Sequence, residues 1–176
     1  MLTIQTPRLL LRPLTDEDAA PLFLLHREDS FHAGIPDEVW DSEEEALETV
    51  QFLRSRYADA PRDCGFPLVL ALQRREDGAL LGHAGLSPIP EGVEVEYAVG
   101  EAFQGQGYVS EALTALRDWT VSVLQIRHLY GLAHPDNPAS CRVLEKAGFS
   151  FLKEEERMSF GVPTRWKVYD FSAEER

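Results

Sequence analysis

The hydrophobic pattern of the chain changes its period around one glycine-rich turn. Over residues 93–99, apolar side chains alternate with polar or small ones, which predicts a β-strand with one apolar face. The turn Gln104–Gly107 follows, and beyond it the apolar residues recur at helical spacing: Ala112, Leu113, Leu116, Trp119, Val123 and Leu124. A strand that leads through glycines into a long helix restricts the fold to classes in which helices pack on a sheet.

The rest of the chain predicts further strands and helices. Ser42 and Glu45 form a capping box, and Asn137 followed by Pro138 is typical of a helix start. The predicted strands are 9–14, 67–74, 79–87, 93–99, 128–133, 149–155 and 165–171, and predicted helices follow residues 15, 42, 107 and 137. The resulting order, β-α-α-β-β-β-α-β-α-β-β over 176 residues, predicts one mixed α/β (α+β) domain that spans residues 1–176.

The charge balance indicates what this domain binds. Lys and Arg number 17 against 30 Asp and Glu, a formal net charge of −13, which disfavours nucleic acid and anionic membranes and suits a cationic acceptor. No segment approaches the ~18 apolar residues of a membrane span. The cysteines, Cys64 and Cys141, and the five histidines lack metal-site spacing, so we expect no metal and a cytoplasmic, reducing location.

Gly105 and Gly107 make the turn before the long helix a candidate anion site. The first amides of a helix have no intrahelical partner, and the helix dipole adds partial positive charge there. A phosphate group fits such an end when glycines let it approach the backbone. The alternative is that the two glycines only permit a tight turn. The Walker pattern is absent, and the turn does not complete a dinucleotide fingerprint.

Three blocks of the sequence resemble one known family. Gln104–Gly107 with Ser110–Leu113, after a strand that carries glutamates, resembles the acetyl-CoA motif of the GNAT superfamily of N-acetyltransferases. Asn137–Phe149 resembles the next motif of that family. Thr6–Arg12 is similar to the start of the branch that contains the ribosomal-protein N-terminal (alanine) acetyltransferases. The blocks occur in the family's order and together span most of the chain.

The resemblance implies a fold and a cofactor site. It implies a mixed, mostly antiparallel central sheet, flanked by helices, that splays between the strands 93–99 and 128–133, where acetyl-CoA would enter. The pantetheine would pair with backbone near Val99, and the diphosphate would rest on the amides of the glycine turn. The implied cofactor-binding residues are Val99, Gln104, Gly105, Gln106, Gly107, Tyr108, Val109, Ser110 and Asn137. Because the family prefers Gly or Ala where Val109 stands, we expect weakened or re-angled phosphate contact.

Acyl transfer to an amine needs a group that accepts the amine's proton. Glu94 and Glu96 lie on one face of their strand, and like-charge proximity would raise the pKa of one of them toward the range of a base. Both are therefore candidate catalytic bases, and Glu94 matches a position where the family often carries a carboxylate. The alternative is that both carboxylates are solvated on an open sheet face.

The leaving thiolate needs a proton donor. Many members of the family use a tyrosine seven residues after the motif Asn, where this chain has Leu144, as the ribosomal-protein branch does. Ser140 then becomes the candidate donor, and a backbone N–H near Val99 would meet the oxyanion. The alternative is that Asn137 only caps its helix and Ser140 is an ordinary first-turn residue.

The expected function is the transfer of an acetyl group from acetyl-CoA to a primary amine, namely the N-terminal amine of a protein or peptide. The enzymatic alternative is a small-molecule amine such as an aminoglycoside, polyamine or amino acid. The non-enzymatic alternative is an acyl-CoA-binding module without catalytic activity. Val109 and the absence of a tyrosine at position 144 suggest it. Phe31, His32 and Trp40 are candidates for the acceptor cleft or for the core. The C-terminal strands would allow pairing in a homodimer.

Overall fold

The computed structural model describes residues 2–30, 40–57, 67–159 and 162–173. Within them, eight strands form one sheet in the order β1-β2-β3-β4-β5-β6-β8-β7. The strands are β1 (Ile4–Gln5), β2 (Leu9–Pro13), β3 (Leu68–Arg74), β4 (Leu80–Ile89), β5 (Gly92–Val99), β6 (His128–Ala133), β7 (Ser150–Ser159) and β8 (Val162–Ser172). The helices are α1 (Ala19–His26), α2 (Glu43–Arg56), α3 (Tyr108–Trp119) and α4 (Pro138–Lys146). All described strand pairs except β5–β6 are antiparallel, so the predicted fold class is confirmed.

The predicted elements are present, and the main differences are an additional short strand, longer C-terminal strands and an earlier end of α3. The two-residue strand β1 was not predicted, because so short a segment shows no period. The strands β7 and β8 extend beyond the apolar runs that predicted them, since their outer parts pair with each other and need no buried face. The helix α3 ends at Trp119, and a wider π-helical turn continues it over Thr120–Leu124.

The two faces of the sheet carry different helices. The helices α3 and α4 pack on one face, where Val93 and Val95 of β5 join a core that includes Leu113 and Leu116 of α3. The helices α1 and α2 cover part of the other face and form a second core with β3. Because successive side chains of a strand alternate, Glu94 and Glu96 project from β5 on the face opposite α3.

The predicted splay lies between β5 and β6. These parallel strands pair only at Glu94 with Tyr130 and at Val95 with Gly131, whereas β5 pairs with β4 along its whole length. The N–H of Gly100 donates to Leu81 on β4, 2.9 Å away, and the direction of the N–H groups alternates along a strand. The N–H and C=O groups of Tyr97 and Val99 therefore point into the gap.

The N-terminus of α4 is held at the gap by its cap. Asn137 Oδ1 accepts a hydrogen bond from the Ser140 N–H at 3.0 Å, and Pro138 occupies the first helical position. This is the start that the sequence predicts. The strand β7 lies at the edge of the sheet, so a homodimer through the C-terminal strands stays a prediction.

Gly131 sets the distance between β6 and α4. A Cβ added there would lie 2.4 Å from Cδ2 of Leu144, which is fully buried. We therefore expect Gly131→Ala to lower the free energy of unfolding by about 2 kcal/mol, measured by urea denaturation. Adding Leu144→Val should recover part of the loss by removing the contacting methyl group. Wild-type stability of Gly131→Ala would show that α4 is not held by this contact.

Candidate active site

The gap between β5 and β6 opens into a cleft of about 1460 Å³. At one end lie the glycine turn and the N-terminus of α3, and at the other lie β4, β5 and the β7–β8 hairpin. Of the predicted site residues, the cleft is lined by Glu94, Glu96, Val99, Gln104, Gly105, Gly107, Tyr108, Val109, Ser110, Asn137 and Ser140. Only Gln106 is not among its described lining residues, since its side-chain amide donates to the Ala102 carbonyl at 2.9 Å.

The glycine turn has the backbone shape that an anion site needs. Gly105 and Gly107 have φ values of +71° and +79°, in the left-handed region that favours glycine. A Cβ added to Gly105 would meet no atom within 4 Å, so the space beside the turn is open. The first N–H of α3 to bond back within the helix is that of Glu111, to the Gly107 carbonyl at 3.1 Å. The amides before it are available to a phosphate group.

Two side chains close this end of the cleft. The Gln104 side-chain amide donates to Ser30 Oγ at 2.9 Å and to the Val99 carbonyl at 3.3 Å. Gln104 therefore joins the turn to the end of β5. Val109, whose branched side chain is partly buried, also lines the cleft. The weaker phosphate contact expected from Val109 stays a prediction.

Glu94 is a half-buried residue at the gap, with a largely desolvated carboxyl group. Its Oε2 has no hydrogen-bond partner among the described residues. Burial raises the pKa of Glu94 to about 7, while Arg157 lowers it and Glu91 raises it further. Loss of solvation is thus the larger cause, and the carboxylate that adds to it is Glu91 rather than the expected Glu96. A carboxyl group with a pKa of about 7 can accept and release a proton at neutral pH.

Glu96 has a different environment. It accepts a hydrogen bond from the Ser87 hydroxyl on the neighbouring strand β4. That bond holds the carboxylate against the sheet. The unpartnered carboxyl oxygen belongs to the other candidate base, Glu94, whose Oε2 is shielded from solvent.

The end of the cleft beyond Glu94 is acidic. Arg157 lies among the acidic residues, and its guanidinium forms ion pairs with Glu91, at 3.1 Å, and with Glu155. Over the whole cleft, the lining carboxylates Glu91, Glu94, Glu96, Glu155, Glu156 and Asp136 outnumber the lining cations Arg142, Lys146 and Arg157. This arrangement favours a positively charged acceptor.

The structure pairs Ser140 with Tyr97, a residue that the sequence motifs do not single out. The Tyr97 hydroxyl lies 2.9 Å from Ser140 Oγ and 3.3 Å from the Ser140 carbonyl. Burial raises the pKa of Tyr97 more than the bond to Ser140 lowers it, so the phenol stays protonated at neutral pH. Tyr97 continues the alternation of apolar residues in β5, and a buried tyrosine needs a hydrogen-bond partner for its hydroxyl. This position is the feature of the sequence that could have indicated Tyr97. Leu144, where many family members have a tyrosine, is fully buried away from the cleft lining.

Trp40 does not belong to the described lining of the cleft. Its ring stacks on His26 with 3.7 Å between centroids, and it packs against the second core. A different tryptophan, Trp166 of β8, is among the described residues that line the cleft. Phe31, His32 and Cys64 lie outside the described residues.

Neither a metal-binding cluster nor a membrane-spanning helix occurs in the described part of the chain. No group of three or more His, Cys, Asp or Glu residues there has the arrangement of a metal site. No helix within the same ranges is long and apolar enough to span a membrane.

Known proteins share both the sequence pattern and the fold. Residues 8–150 match the family described as acetyltransferase (GNAT) domain. The Bacillus subtilis (strain 168) protein named "Uncharacterized N-acetyltransferase YoaA" is 26% identical over 149 residues, 83% of this chain and 81% of that protein.

Solved structures extend the likeness to the whole fold. RimL, a ribosomal L7/L12 alpha-N-protein acetyltransferase in complex with coenzyme A, has a TM-score of 0.81 at 21% identity, over 97% of both chains. The microcin C7 self-immunity acetyltransferase MccE, in complex with acetyl-CoA and AMP, has a TM-score of 0.78 at 17% identity, over 96% of this chain and 94% of that one. With the match over most of its length, the chain belongs to the GNAT acetyltransferase family and is an acetyl-CoA-dependent N-acetyltransferase.

Proposed function

We propose that this enzyme acetylates the α-amine of a protein or peptide N-terminus, with Glu94 as the base. The observation that carries the proposal is the Glu94 carboxyl, which is largely desolvated at the lining of the cleft and has one oxygen, Oε2, without a hydrogen-bond partner among the described residues. The fold that this chain shares with RimL, an alpha-N-protein acetyltransferase, agrees with it.

The pKa of Glu94 favours an α-amine over a lysine side chain. An α-ammonium group has a pKa of about 7.8 and a lysine ammonium about 10.4. Glu94, with a pKa of about 7, accepts a proton from an α-ammonium group at a small cost in free energy. Proton transfer from a lysine ammonium is less favourable, because the two pKa values differ by more than 3 units. Deprotonation of the nucleophile is therefore easy only for an amine of the first kind.

Acetyl-CoA supplies the thioester. The chain would hold its diphosphate on the amides that precede Glu111, with Gly105 and Gly107 giving the backbone room to approach. The backbone groups of Val99 that point into the gap would pair with the pantetheine arm or donate to the oxyanion. Asn137 lines the same part of the cleft, and its Oδ1 already accepts the bond that starts α4.

The nitrogen attacks the thioester carbonyl, and the carbon–sulfur bond breaks as the amide bond forms. Glu94 takes the proton that the ammonium loses. Ser140 would donate a proton to the leaving sulfur, and the Tyr97 hydroxyl, 2.9 Å from Ser140 Oγ, would support that donation. The nitrogen loses its second proton as the tetrahedral intermediate collapses, and that proton, returned through solvent, would restore Ser140. The acidic end of the cleft attracts the charged acceptor. At physiological ionic strength this attraction is screened beyond about 8 Å.

An acceptor panel tests the proposed substrate class. Peptides with a free α-amine and no lysine should release coenzyme A thiol at rates about 10-fold or more above the same peptides with a blocked N-terminus and one lysine. Polyamines and aminoglycosides are the small-molecule arm of the panel. Faster turnover of blocked, lysine-containing peptides or of these small amines would contradict the proposal. A basic residue at the second peptide position should raise kcat/KM, and this gain should shrink in salt.

A further inference from the structure

We propose that Arg8 is a positioning residue that holds the glycine turn in its diphosphate-binding shape. The inference rests on the proposed cofactor site and extends it to the N-terminal segment. It assigns a role to the Thr6–Arg12 block, which the proposed chemistry leaves unused.

Arg8 contacts the turn and the helix on both sides of Gly107. Its Nη1 donates to the Gln106 carbonyl at 2.9 Å, and its Nε donates to Glu111 Oε2 at 2.7 Å. Its guanidinium carbon lies 4.5 Å from the centre of the Tyr108 ring. One side chain thus holds three residues around the point where the chain enters α3.

The backbone around Arg8 is itself held in place. Glu111 Oε1 accepts from the Thr6 hydroxyl at 2.5 Å and from the Arg8 N–H at 2.9 Å. From the other side, Arg75 Nη1 donates to the Thr6 and Pro7 carbonyls at 2.8 and 3.0 Å. These hydrogen bonds hold the backbone of Arg8 in place, so its side chain reaches the glycine turn from a fixed point.

The contact to Gln106 directs a carbonyl group. A carbonyl oxygen that faces a phosphate repels it. The Gln106 carbonyl oxygen instead accepts the hydrogen bond from Arg8 Nη1, and this bond keeps it directed at Arg8 rather than at a bound phosphate. A Cβ on Gly107 would lie 3.5 Å from Arg8 Nη2, an ordinary contact distance, so the guanidinium lies beside the turn.

The contact to Glu111 balances a charge. Glu111 is a carboxylate in the first turn of α3, close to the amides that would receive an anion. Burial alone would raise the pKa of Glu111, but the hydrogen bonds from Thr6 and Arg8 outweigh it and hold the pKa below its usual value. Without Arg8, an ionised carboxylate would lie unbalanced beside the anion site and oppose the diphosphate.

The test compares acetyl-CoA with acetyl-pantetheine, a thioester that lacks the diphosphate. For Arg8→Ala, we expect kcat/KM with acetyl-CoA to fall about 10-fold through KM, and kcat/KM with acetyl-pantetheine to change by less than about 2-fold. Arg8→Lys should not restore acetyl-CoA use, because an ammonium cannot make the three contacts together. Adding Glu111→Gln to Arg8→Ala should recover part of the loss.

Arg54→Ala is the matched control. The side chain of Arg54 is 42% exposed, against 45% for Arg8, and it pairs with Asp16 away from the glycine turn. Arg54→Ala should therefore have wild-type kcat/KM with both thioesters. An equal fall of Arg8→Ala with both thioesters would overturn the inference, because it would show a general structural role. Wild-type enzyme that uses both thioesters equally well would instead refute the proposed diphosphate site. Thermal unfolding of each variant excludes loss of fold.

Discussion

Glu94→Gln is expected to lower kcat by about 100-fold or more and to leave the affinity for acetyl-CoA near that of wild type. Loss of a positioned general base typically costs a factor in the range of 10²–10⁴. The glutamine keeps the size of the side chain but cannot accept the amine's proton. Steady-state kinetics with a peptide acceptor, together with calorimetric binding of coenzyme A, separates the two effects.

The pH profile identifies the group. Since Glu94 must be ionised to act, kcat/KM of wild type should rise as pH increases through about 7, the pKa to which burial raises this carboxyl. Glu94→Gln should lose the rise through about 7 and keep only a rise through about 7.8, where the α-amine of the acceptor itself loses its proton. Glu96→Gln decides between the two candidate bases: if it loses the rise and Glu94→Gln keeps it, Glu96 is the base.

Glu94 should also lower stability at the pH where it acts. Its folded pKa, about 7, lies above the usual value of 4.5, so the folded state binds more protons between these values. Stability therefore falls as pH increases through that window, by up to about 3 kcal/mol. At pH 8, Glu94→Gln should unfold at a higher temperature than wild type, and at pH 4 the two should be similar. A variant less stable than wild type at pH 8 would contradict the assigned burial of the charge.

Gly107→Val is expected to abolish cofactor binding. Gly107 has a φ of +79°, where a β-branched residue is strained, and it is the residue from which α3 starts. Relief of that strain would move the amides that follow it, together with the diphosphate site. With coenzyme A at about 100 times its Kd, wild type should gain about 2.7 kcal/mol of stability, and the variant should gain none.

Gly78→Val is the matched control for this change. Gly78, in the turn between β3 and β4, has a φ of +76° and an equally open Cβ direction, with its nearest atom at 3.5 Å. Its replacement should cost similar stability, about 1–2 kcal/mol, and leave the coenzyme A shift intact. Retention of that shift in Gly107→Val would place the diphosphate elsewhere.

Local signals in the sequence predict most of the fold. The alternation in β5 and the helical spacing in α3 are set by one buried face each, so they can be read without the rest of the chain. The same holds for the caps of Ser42 and Asn137, which involve residues three positions away. The outer part of the β7–β8 hairpin escapes prediction, because strands that pair with each other need no apolar period.

The cleft depends on contacts between distant residues. Tyr97 meets Ser140 across 43 positions, and Trp40, a candidate for the acceptor cleft, packs instead against His26. Neither outcome follows from a motif, because side chains of the same chemistry serve cores and clefts alike.

The sequence by itself determined the order of the main elements, because periodicity, caps and the glycine turn act over a few residues. Its motifs indicated the family by resemblance, and through the family the residues to expect at the gap. Only the tertiary structure decided that Glu94 is desolvated with one oxygen unpartnered, and that Arg8 joins Glu111 across 103 positions. Solvation and charge at a point depend on every element packed around it, and the packing exists only in the folded chain.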